Sequence, residues 1–381
     1  MTFEPADRVA GVPPSGIRRF FELAEEMDDI ISLGVGEPDF SAPWAAREAA
    51  IASLERGQTS YTANRGKREL RERIADYEAA THNLQYDPDE EILVTAGASE
   101  GLDLAFRALL NPGDSIAIAQ PCYVSYVPGA TFAGIDVIDV PTRAEDEFKL
   151  TREVLESSGA AEADALVYCY PNNPTGATMT AEEMASVAAF CRENDLLVFA
   201  DEIYADLTYE HDHTSIATLP GMRERTVVFN GFSKAFAMTG FRLGYAMAPP
   251  EAIEAMNRIH QYSMLSAPTT AQHAAIEALD NCRDEVTDMA AQYDRRRKYV
   301  LTRFEEMGLD CFPAAGAFYA FPECPWDDAG EFAESLLQEK RVAVVPGTAF
   351  GEGGSGHLRV SYATGLDDLK EAMARIESFL D

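Results

Sequence analysis

Three side chains that could act together on a carbonyl compound follow two β-rich runs near the middle of the chain. Asp201 comes directly after the run Leu196–Ala200, and Tyr204 follows three residues later. Lys234 comes shortly after the run Thr226–Asn230. A desolvated lysine loses pKa and becomes a nucleophile for an aldehyde. A carboxylate at a buried strand end can hold a pyridine nitrogen protonated, and a nearby phenol can reach a ring hydroxyl.

Each of these residues also has an ordinary structural interpretation. An aspartate after a strand often caps a helix, and a single lysine is usually a solvated surface charge. However, the chain contains only six lysines, and Lys234 lies within the mostly apolar segment 231–245. This setting favours a chemical role for Lys234.

Alternating strand and helix patterns surround these residues and predict an α/β domain with a mainly parallel seven-stranded sheet and helices on both faces. Ligand chemistry in such a sheet gathers beyond the carboxyl ends of the strands. The helical patterns include Ser99–Leu110 and Ala181–Glu193. The predicted strands are Ile92–Thr95, Ser115–Ala119, Asp136–Val140, Ala165–Cys169, Leu196–Ala200, Thr226–Asn230 and Gly244–Met247.

After Pro249 the pattern changes to a long helical region over residues 251–307, followed by the short apolar runs Phe318–Phe321 and Val342–Val345 and a last helix near Asp367–Phe379. This order predicts a smaller α+β domain. We therefore divide the chain into residues 1–44, an N-terminal arm and the start of the small domain, residues 45–275, the large domain, and residues 276–381, the C-terminal small domain.

The composition excludes several classes of protein. Asp and Glu number 64 against 31 Lys and Arg, a net charge of −33, which opposes nucleic-acid binding because phosphate contacts need a basic face. We expect no membrane span and no secretory signal, and hence a cytoplasmic location. The six cysteines form no Cys-x-x-Cys pair, so we expect neither disulfides nor zinc. The acidic, lysine-poor composition favours adaptation to high salt, with an ordinary acidic protein as the alternative.

Several motifs, in order and at matching spacing from about residue 15 to the C-terminus, carry a resemblance to a known family. The chain resembles the class I aminotransferases of the type I pyridoxal-phosphate fold, most closely their gamma subgroup. The motifs are LGVGEPDF (Leu33–Phe40), SYTANRG (Ser60–Gly66), YPNNPTG (Tyr170–Gly176), ADEIYADL (Ala200–Leu207), FSKAFAMTGFRLGY (Phe232–Tyr245) and HLRVSYA (His357–Ala363).

The resemblance implies a ping-pong transfer of an amino group from an L-amino acid, with aspartate or an aromatic amino acid favoured, to a 2-oxo acid such as 2-oxoglutarate. A carbon–sulfur β-lyase of the same fold is the alternative. The cofactor would be pyridoxal 5′-phosphate, held as a Schiff base on Lys234. Asp201 would pair with the ring nitrogen, and Tyr204 would contact the ring hydroxyl.

The resemblance also assigns the remaining site residues. Ring and phosphate contacts are implied for Tyr123, Asn173, Arg242 and the helix opening at Ala98, Ser99 and Glu100. Substrate contacts are implied for Arg359, Gly36 and Asn173. Tyr61 would reach the phosphate of a neighbouring subunit, which implies a homodimer with shared sites. Singly, each of these residues could be a turn, a cap, core packing or a surface charge; their joint occurrence favours the site.

Four further features remain open. The substrate side-chain pocket would use residues 15–18, Tyr61 and Met264–Ala267, with Arg18 or Arg65 as a possible second carboxylate partner. The group His211–His213 has metal-binding residue types, yet we expect no metal, and the glycines of Gly351–Gly356 predict a tight turn. Gly231 stands where many family members have a hydroxyl that contacts the phosphate. We therefore expect Gly231→Ser to add a donor and to slow cofactor dissociation.

Overall fold

The computed structural model describes residues 3–14, 16, 27 and 29–381. The strands in this part of the chain are β1 (Ile31–Ser32), β2 (Ile92–Thr95), β3 (Ser115–Gln120), β4 (Asp136–Pro141), β5 (Ala165–Cys169), β6 (Leu197–Asp201), β7 (Thr226–Gly231), β8 (Gly244–Met247), β9 (Tyr319–Ala320), β10 (Val342–Ala343), β11 (Val345–Pro346) and β12 (Leu358–Ser361). The α-helices are Asp7–Ala10, Trp44–Glu55, Arg68–Thr81, Ala98–Leu109, Tyr126–Ala133, Arg152–Ser157, Ala181–Glu193, Pro250–Ser263, Thr269–Asn281, Arg283–Met307, Ala329–Lys340 and Leu366–Leu380.

A seven-stranded sheet forms the centre of the large domain, in the spatial order β2–β8–β7–β6–β5–β3–β4. β8 runs antiparallel to both of its neighbours, and the other pairs are parallel. The predicted α/β architecture is therefore confirmed. β6 and β7 each end one residue later than predicted, so that Asp201 and Gly231 belong to the sheet itself.

Both faces of this sheet are buried. In β6, Val198 and Ala200 pack into one apolar cluster and Phe199 packs into the other, because successive side chains of a strand point to opposite faces. Burial on both sides explains why the strands read as continuous apolar runs. We call these the first and second clusters; helices Arg68–Thr81 and Thr269–Asn281 lie on the first, and Ala98–Leu109 and Pro250–Ser263 on the second.

The small domain is built from both ends of the chain. Near the N-terminus β1 pairs in parallel with β10, while β11, β12 and β9 form an antiparallel sheet. A separate apolar core joins these strands to helices Arg283–Met307, Ala329–Lys340 and Leu366–Leu380. The boundary that we placed at residue 275 falls inside helix Thr269–Asn281. Because Ala271, Ala275 and Ala278 are buried in the first cluster, that whole helix packs with the large domain.

The region 251–307 consists of three helices, Pro250–Ser263, Thr269–Asn281 and Arg283–Met307. No helix within the described residues combines the length and the apolar character needed to cross a membrane. All six cysteines are free thiols. In the described part of the chain, no group of three or more His, Cys, Asp and Glu side chains is arranged to hold a metal ion.

Candidate active site

A cavity of about 470 Å³ lies beyond the carboxyl ends of β5, β6 and β7, where ligands bind in sheets of this kind. Its volume falls in the range of small-molecule and cofactor sites. Ten of the twelve site residues predicted from the sequence line its wall. They are Gly36, Ala98, Ser99, Tyr123, Asn173, Asp201, Tyr204, Lys234, Arg242 and Arg359.

Lys234 lies on the turn after β7, and its Nζ donates a hydrogen bond to the carbonyl oxygen of Gly36 at 2.5 Å. The rings of Tyr204 and Phe318 lie 5.6 Å from the same nitrogen. Burial, together with the nearby positive charge of Arg359, lowers the pKa of Lys234 to about 8. A substantial fraction of this amine is therefore neutral and nucleophilic near physiological pH.

Asp201 is the last residue of β6 and is buried at the floor of the cavity. Its Oδ2 accepts a hydrogen bond from the hydroxyl of Tyr126 at 2.7 Å, and its Oδ1 accepts one from the N–H of Ile203 at 3.2 Å. Burial raises the pKa of Asp201, while the Tyr126 hydroxyl and the charge of Lys234 counteract that rise. A buried carboxylate at a cavity wall is suited to hold a cationic group of a ligand.

Tyr126 was not predicted from the sequence. It follows Tyr123 by three residues in the segment QPCYVSY, and the two rings lie 5.5 Å apart with their planes nearly perpendicular. This spacing was the only signal, because the Asp201 contact spans 75 residues of chain.

Arg359 in β12 is a buried cation, only 3% exposed. Its Nη1 donates to Oδ1 of Asn173 at 2.9 Å, and its Nη2 donates to the carbonyl oxygen of Gly34 at 2.6 Å. Its Nε is buried and donates to no atom of the described residues. Burial lowers the pKa of Arg359, yet an arginine stays protonated in proteins. A buried guanidinium with a spare donor is suited to bind a carboxylate.

Tyr319 in β9 links Arg359 to Tyr204 and was also missed by the sequence analysis. Its ring lies 4.6 Å from the Arg359 guanidinium, and its hydroxyl lies 2.8 Å from that of Tyr204. A Cβ added at Gly36 would lie 2.5 Å from the Tyr319 hydroxyl. Because glycine has no Cβ, the backbone at Gly36 can lie close to the hydroxyls of Tyr319 and Tyr204. The carbonyl oxygen of Gly36 is the atom that accepts the hydrogen bond from Lys234.

An anion site is formed where helix Ala98–Leu109 begins. No side chain caps its first turn at Gly97, so free N–H groups and the helix dipole face the cavity near Ala98 and Ser99. Arg242 lies against the same turn, because a Cβ added at Gly97 would come within 2.9 Å of Arg242 Nη2. A helix N-terminus next to a guanidinium is suited to bind a phosphate.

Comparison with known proteins identifies the family. Residues 28–376 match the family "Aminotransferase class I and II". The chain is 43% identical to the aspartate aminotransferase of Pyrococcus abyssi (98% of each chain covered) and 41% identical to the aromatic-amino-acid aminotransferase 2 of Thermococcus litoralis (98% of each). The solved structure of aspartate aminotransferase from Thermus thermophilus with maleate superposes with a TM-score of 0.93 at 37% identity, covering 99% of this chain and 100% of that one.

The chain belongs to the class I and II aminotransferases. These enzymes use pyridoxal 5′-phosphate, whose aldehyde and protonated pyridine ring accept and delocalise electrons. The residues of this aminotransferase fit that group by their chemistry. A nucleophilic lysine, a buried carboxylate and an anion site line one cavity, and the fold-class prediction and the cofactor prediction are confirmed.

Two of the twelve predicted residues do not line the cavity of their own chain. Glu100 at the third helical position turns back to accept from the N–H of Ala96 and pairs with Nδ1 of His260 at 2.7 Å. Its own N–H donates to the carbonyl oxygen of Gly97 at 3.2 Å. The Glu100 side chain is therefore engaged beside the start of the helix and does not line the cavity. Tyr61 lies outside this cavity and is 79% exposed.

Those residues of the predicted side-chain pocket that the structure describes do not line the cavity. Arg65 donates to the carbonyl oxygens of Asp89 and Glu90 at 2.8 and 3.3 Å, and neither Arg65 nor the segment Met264–Ala267 lines the cavity. Ser15 and Arg18 lie outside the described residues. Glu37, which the sequence analysis did not single out, lines the cavity and accepts a hydrogen bond from the hydroxyl of Thr239.

The segments His211–His213 and Gly351–Gly356, for which we expected no metal and no ligand, contact other parts of the chain. His211 contacts Thr178 Oγ1 at 3.0 Å through Nε2, and His213 contacts Glu202 Oε2 at 3.1 Å. The segment Gly351–Gly356 contains a single 3₁₀ turn that packs against Gln120, because a Cβ added at Gly353 would lie 2.9 Å from the Gln120 carbonyl oxygen.

The structure contradicts the expectation that Gly231→Ser adds a phosphate contact. Gly231 faces Gly244 across the β7–β8 ladder and does not line the cavity. A Cβ at position 231 would lie 2.8 Å from Gly244 Cα and 3.0 Å from the Leu243 carbonyl oxygen. Sequence alone could not show this close approach of two strands.

We now expect Gly231→Ser to lower the melting temperature, because overpacking of this kind costs about 1–3 kcal/mol. Gly231→Ala should be destabilised to a similar degree, since the Cβ alone causes the clash. Thermal unfolding of both variants beside the unmodified protein provides the measurement. A serine variant that keeps its melting temperature and releases the cofactor more slowly would restore the original expectation.

Removing only the hydroxyl of Tyr319 separates its two contacts. Tyr319→Phe loses the hydrogen bond to Tyr204 but keeps the ring against Arg359. We expect kcat to fall by about three- to tenfold with KM nearly unchanged, since one hydrogen bond contributes about 1 kcal/mol. Tyr319→Ala also removes the ring and should raise KM for the amino acid. Equal KM values in the two variants would contradict the separate roles of the Tyr319 hydroxyl and the Tyr319 ring.

Proposed function

We propose that this aminotransferase moves the amino group of aspartate or of an aromatic amino acid to 2-oxoglutarate in a ping-pong reaction. The observation that carries the proposal is the meeting of Lys234, Asp201 and Arg359 in one cavity. The amine supplies the nucleophile and moves a proton at the substrate α-carbon. The carboxylate holds the ring nitrogen protonated, and the guanidinium binds the substrate α-carboxylate.

The other residues of the cavity orient these three groups. Arg359 is already aligned by Asn173 and Gly34, so less side-chain freedom is lost when a carboxylate binds. We assign to Tyr204, whose hydroxyl contacts that of Tyr319, a hydrogen bond to the ring hydroxyl, which Asn173 shares. Roles proposed from position are ring stacking for Tyr123, phosphate binding for Ala98, Ser99 and Arg242, and help in binding the substrate carboxylate for Gly36.

The proposed substrates rest on the relatives and on the cations of the cavity. The names of the Pyrococcus and Thermococcus relatives are those of aspartate and aromatic-amino-acid aminotransferases. The Thermus structure contains maleate, a dicarboxylate. Among the described residues, the cations lining the cavity are Lys234, Arg242 and Arg359, and each has a role in the account above. A second substrate carboxylate therefore needs a further donor, which Arg18 or a partner subunit could supply.

Measuring initial rates with a panel of amino donors and 2-oxoglutarate tests the proposal. Aspartate, phenylalanine and tyrosine should give the highest kcat/KM, and parallel double-reciprocal plots should show the ping-pong order. Pyruvate and ammonia released from a cysteine derivative without a 2-oxo acid would favour the β-lyase instead.

We also propose a homodimer in which Tyr61 reaches the partner's site. Tyr61 and Tyr262 are 79% and 89% exposed. Tyr61 lies on a loop and Tyr262 near the end of helix Pro250–Ser263, and the two segments are joined where Asn64 Nδ2 donates to the Leu265 carbonyl oxygen. Met264, beside Leu265, is 45% exposed. Exposed aromatic and apolar side chains on adjoining segments are typical of a subunit interface. Six free thiols support a reducing compartment, and so the proposed cytoplasmic location.

High-salt adaptation is a separate proposal, supported by the net charge of −33. Added KCl screens the repulsion between surface carboxylates, so the melting temperature should rise from low to molar KCl. A less acidic aminotransferase measured in parallel provides the control for general salt effects. A melting temperature that stays flat or falls over this range would remove the proposal and leave the enzyme assignment intact.

A further inference from the structure

Glu78 of helix Arg68–Thr81 has a buried carboxyl group. This carboxyl contacts one face of the central sheet, and Asp201 lies on the other face. Only 1% of Glu78 is exposed. It reaches Asn230, which lies on the same face of β7 as the first-cluster residue Val228, because side chains two apart in a strand share a face. Asp201 lies on the other face, where it contacts Tyr126 of the second cluster.

A chain of hydrogen bonds connects Glu78 to the turn that carries Lys234. Glu78 Oε1 accepts from Asn230 Nδ2 at 3.1 Å and from the hydroxyl of Tyr245 at 2.5 Å. Oδ1 of Asn230 in turn accepts from the N–H of Gly231 at 2.7 Å. Gly231 precedes Lys234 by three residues, so the carboxyl is coupled to the backbone that places Nζ in the cavity.

Core stability alone does not account for this carboxyl. Its Oε2 is buried and has no hydrogen-bond partner among the described residues. A buried polar atom without a partner is costly, and an apolar side chain of similar size would avoid that cost. The neighbouring first-cluster residues Ile74 and Tyr77 of the same helix are completely or almost completely buried. The contacts that an apolar residue could not make are those with Asn230 and with the Tyr245 hydroxyl, and of these the Asn230 contact leads to the turn that carries Lys234.

We propose that Glu78 is a positioning residue for Lys234, acting through Asn230 on the turn that carries the amine. Glu78 does not line the cavity and so contacts neither the substrate nor the cofactor. The inference rests on the aminotransferase reaction proposed above and adds a determinant of its rate that lies on the other side of the sheet.

The contact should respond to pH. Burial raises the pKa of Glu78 to about 7, although the charge of His82 and the Tyr245 hydroxyl oppose that rise. An ionised carboxylate is the stronger hydrogen-bond acceptor, so it should hold Asn230 more firmly as the pH rises through about 7. Among the described residues, the titratable groups that face Glu78 are His82, Asp206 and Glu202, with the hydroxyls of Tyr77, Tyr86 and Tyr245.

Two of these neighbours keep their charge in the neutral range. Burial opposes protonation of His82, but the contact with Asp206 and the charge of Glu78 raise its pKa to about 9. Burial also acts against ionisation of Asp206, yet His82 and Tyr77 lower its pKa overall. Of these three groups, Glu78 is the one whose pKa burial brings into the neutral range.

Three variants of the cofactor-loaded enzyme test the proposal. Glu78→Leu removes the acceptor for Asn230, and we expect kcat to fall by about ten- to hundredfold with KM little changed, as for a misplaced catalytic group. Glu78→Gln keeps an acceptor oxygen but cannot ionise, so kcat should match the unmodified enzyme below about pH 6 and lack its increase near pH 7. Ile74→Val, a change at another buried residue of the same helix that carries no polar group, should follow the unmodified enzyme.

A measurement on the apo-protein supplies a readout other than activity. Folding raises the pKa of Glu78 from 4.5 to about 7. As the pH rises, the Glu78 carboxyl therefore loses its proton at a lower pH in the unfolded chain than in the folded protein. The free energy of unfolding that this carboxyl contributes below pH 4.5 is therefore lost as the pH rises from 4.5 to about 7. The melting temperature of the apo-protein should decrease over that interval, and Glu78→Gln should lack this part of the decrease.

Several outcomes would overturn the proposal. They are a folded Glu78→Leu variant with unchanged kcat, a Glu78→Gln variant that retains the pH step in kcat, or an Ile74→Val variant that loses as much kcat as Glu78→Leu. If Glu78→Leu does not fold, Glu78→Gln decides. If the unmodified enzyme transfers no amino group, that result contradicts the proposed function instead. The assay of the unmodified enzyme shows this before any variant is made.

Discussion

Replacing Lys234 by alanine should reduce amino transfer by more than about 10⁴-fold, because the variant loses both the nucleophile and the group that moves the proton. The anion site at Ala98 and Arg242 and the carboxylate of Asp201 remain, so the variant should still bind pyridoxal phosphate without a covalent bond. Absorbance spectra and steady-state rates of the purified variant provide the measurements.

Lys298 is a suitable control, because it lies on the surface of helix Arg283–Met307, paired with Asp294. Lys298→Ala should keep full activity. The pH dependence offers a second check, since the lowered pKa of Lys234, about 8, places its change to the neutral amine near that pH. Covalent capture of the cofactor by the apo-protein should become faster as the pH rises through about 8. Activity near that of the unmodified enzyme in Lys234→Ala would contradict the assignment.

Asp201→Asn should have the second-largest effect. The amide keeps the shape and can still contact Tyr126, but it carries no negative charge to hold a ring nitrogen protonated. We expect the half-reaction with the amino donor to slow by at least about 10²–10³-fold, the loss typical when one electrostatic partner of a transition state is removed. Single-turnover absorbance measurements follow this half-reaction directly.

Glu202→Gln is the matched control for Asp201→Asn. Glu202 is the next residue in the chain and equally buried, but its carboxylate contacts Ser215 and His213, away from the cavity. We expect that variant to lose stability and to keep its half-reaction rate within about tenfold, since the hydrogen bonds it loses contribute to folding. Equal losses in the two variants would mean that Asp201 acts through the fold.

The sequence was sufficient to predict the sheet and most of the cavity wall. Most of the strands in the large sheet are short apolar runs bounded by polar residues. Asp201 follows such a run directly, and Lys234 follows one after three further residues. Their positions at the carboxyl edge of the sheet therefore follow from the order of the chain. Arg359 and Asn173 were predicted by resemblance, and the structure shows them bonded across 186 residues.

The contacts that the sequence could not predict join distant segments. The bonds Tyr126–Asp201, Tyr204–Tyr319 and Lys234–Gly36 span 75, 115 and 198 residues. No local pattern encodes which tyrosine reaches which partner, because that depends on how segments distant in the chain pack together. Gly231 was misjudged for the same reason, since the clash lies on the neighbouring strand.

Identifying the lysine that bonds the cofactor tests the central claim most directly. Reduction of the cofactor-loaded protein with borohydride, followed by proteolysis and peptide mass spectrometry, locates the tagged residue among the six lysines. The account predicts a single tag on Lys234, absent from Lys234→Ala. A tag on any of the other five lysines, or none at all, would contradict it.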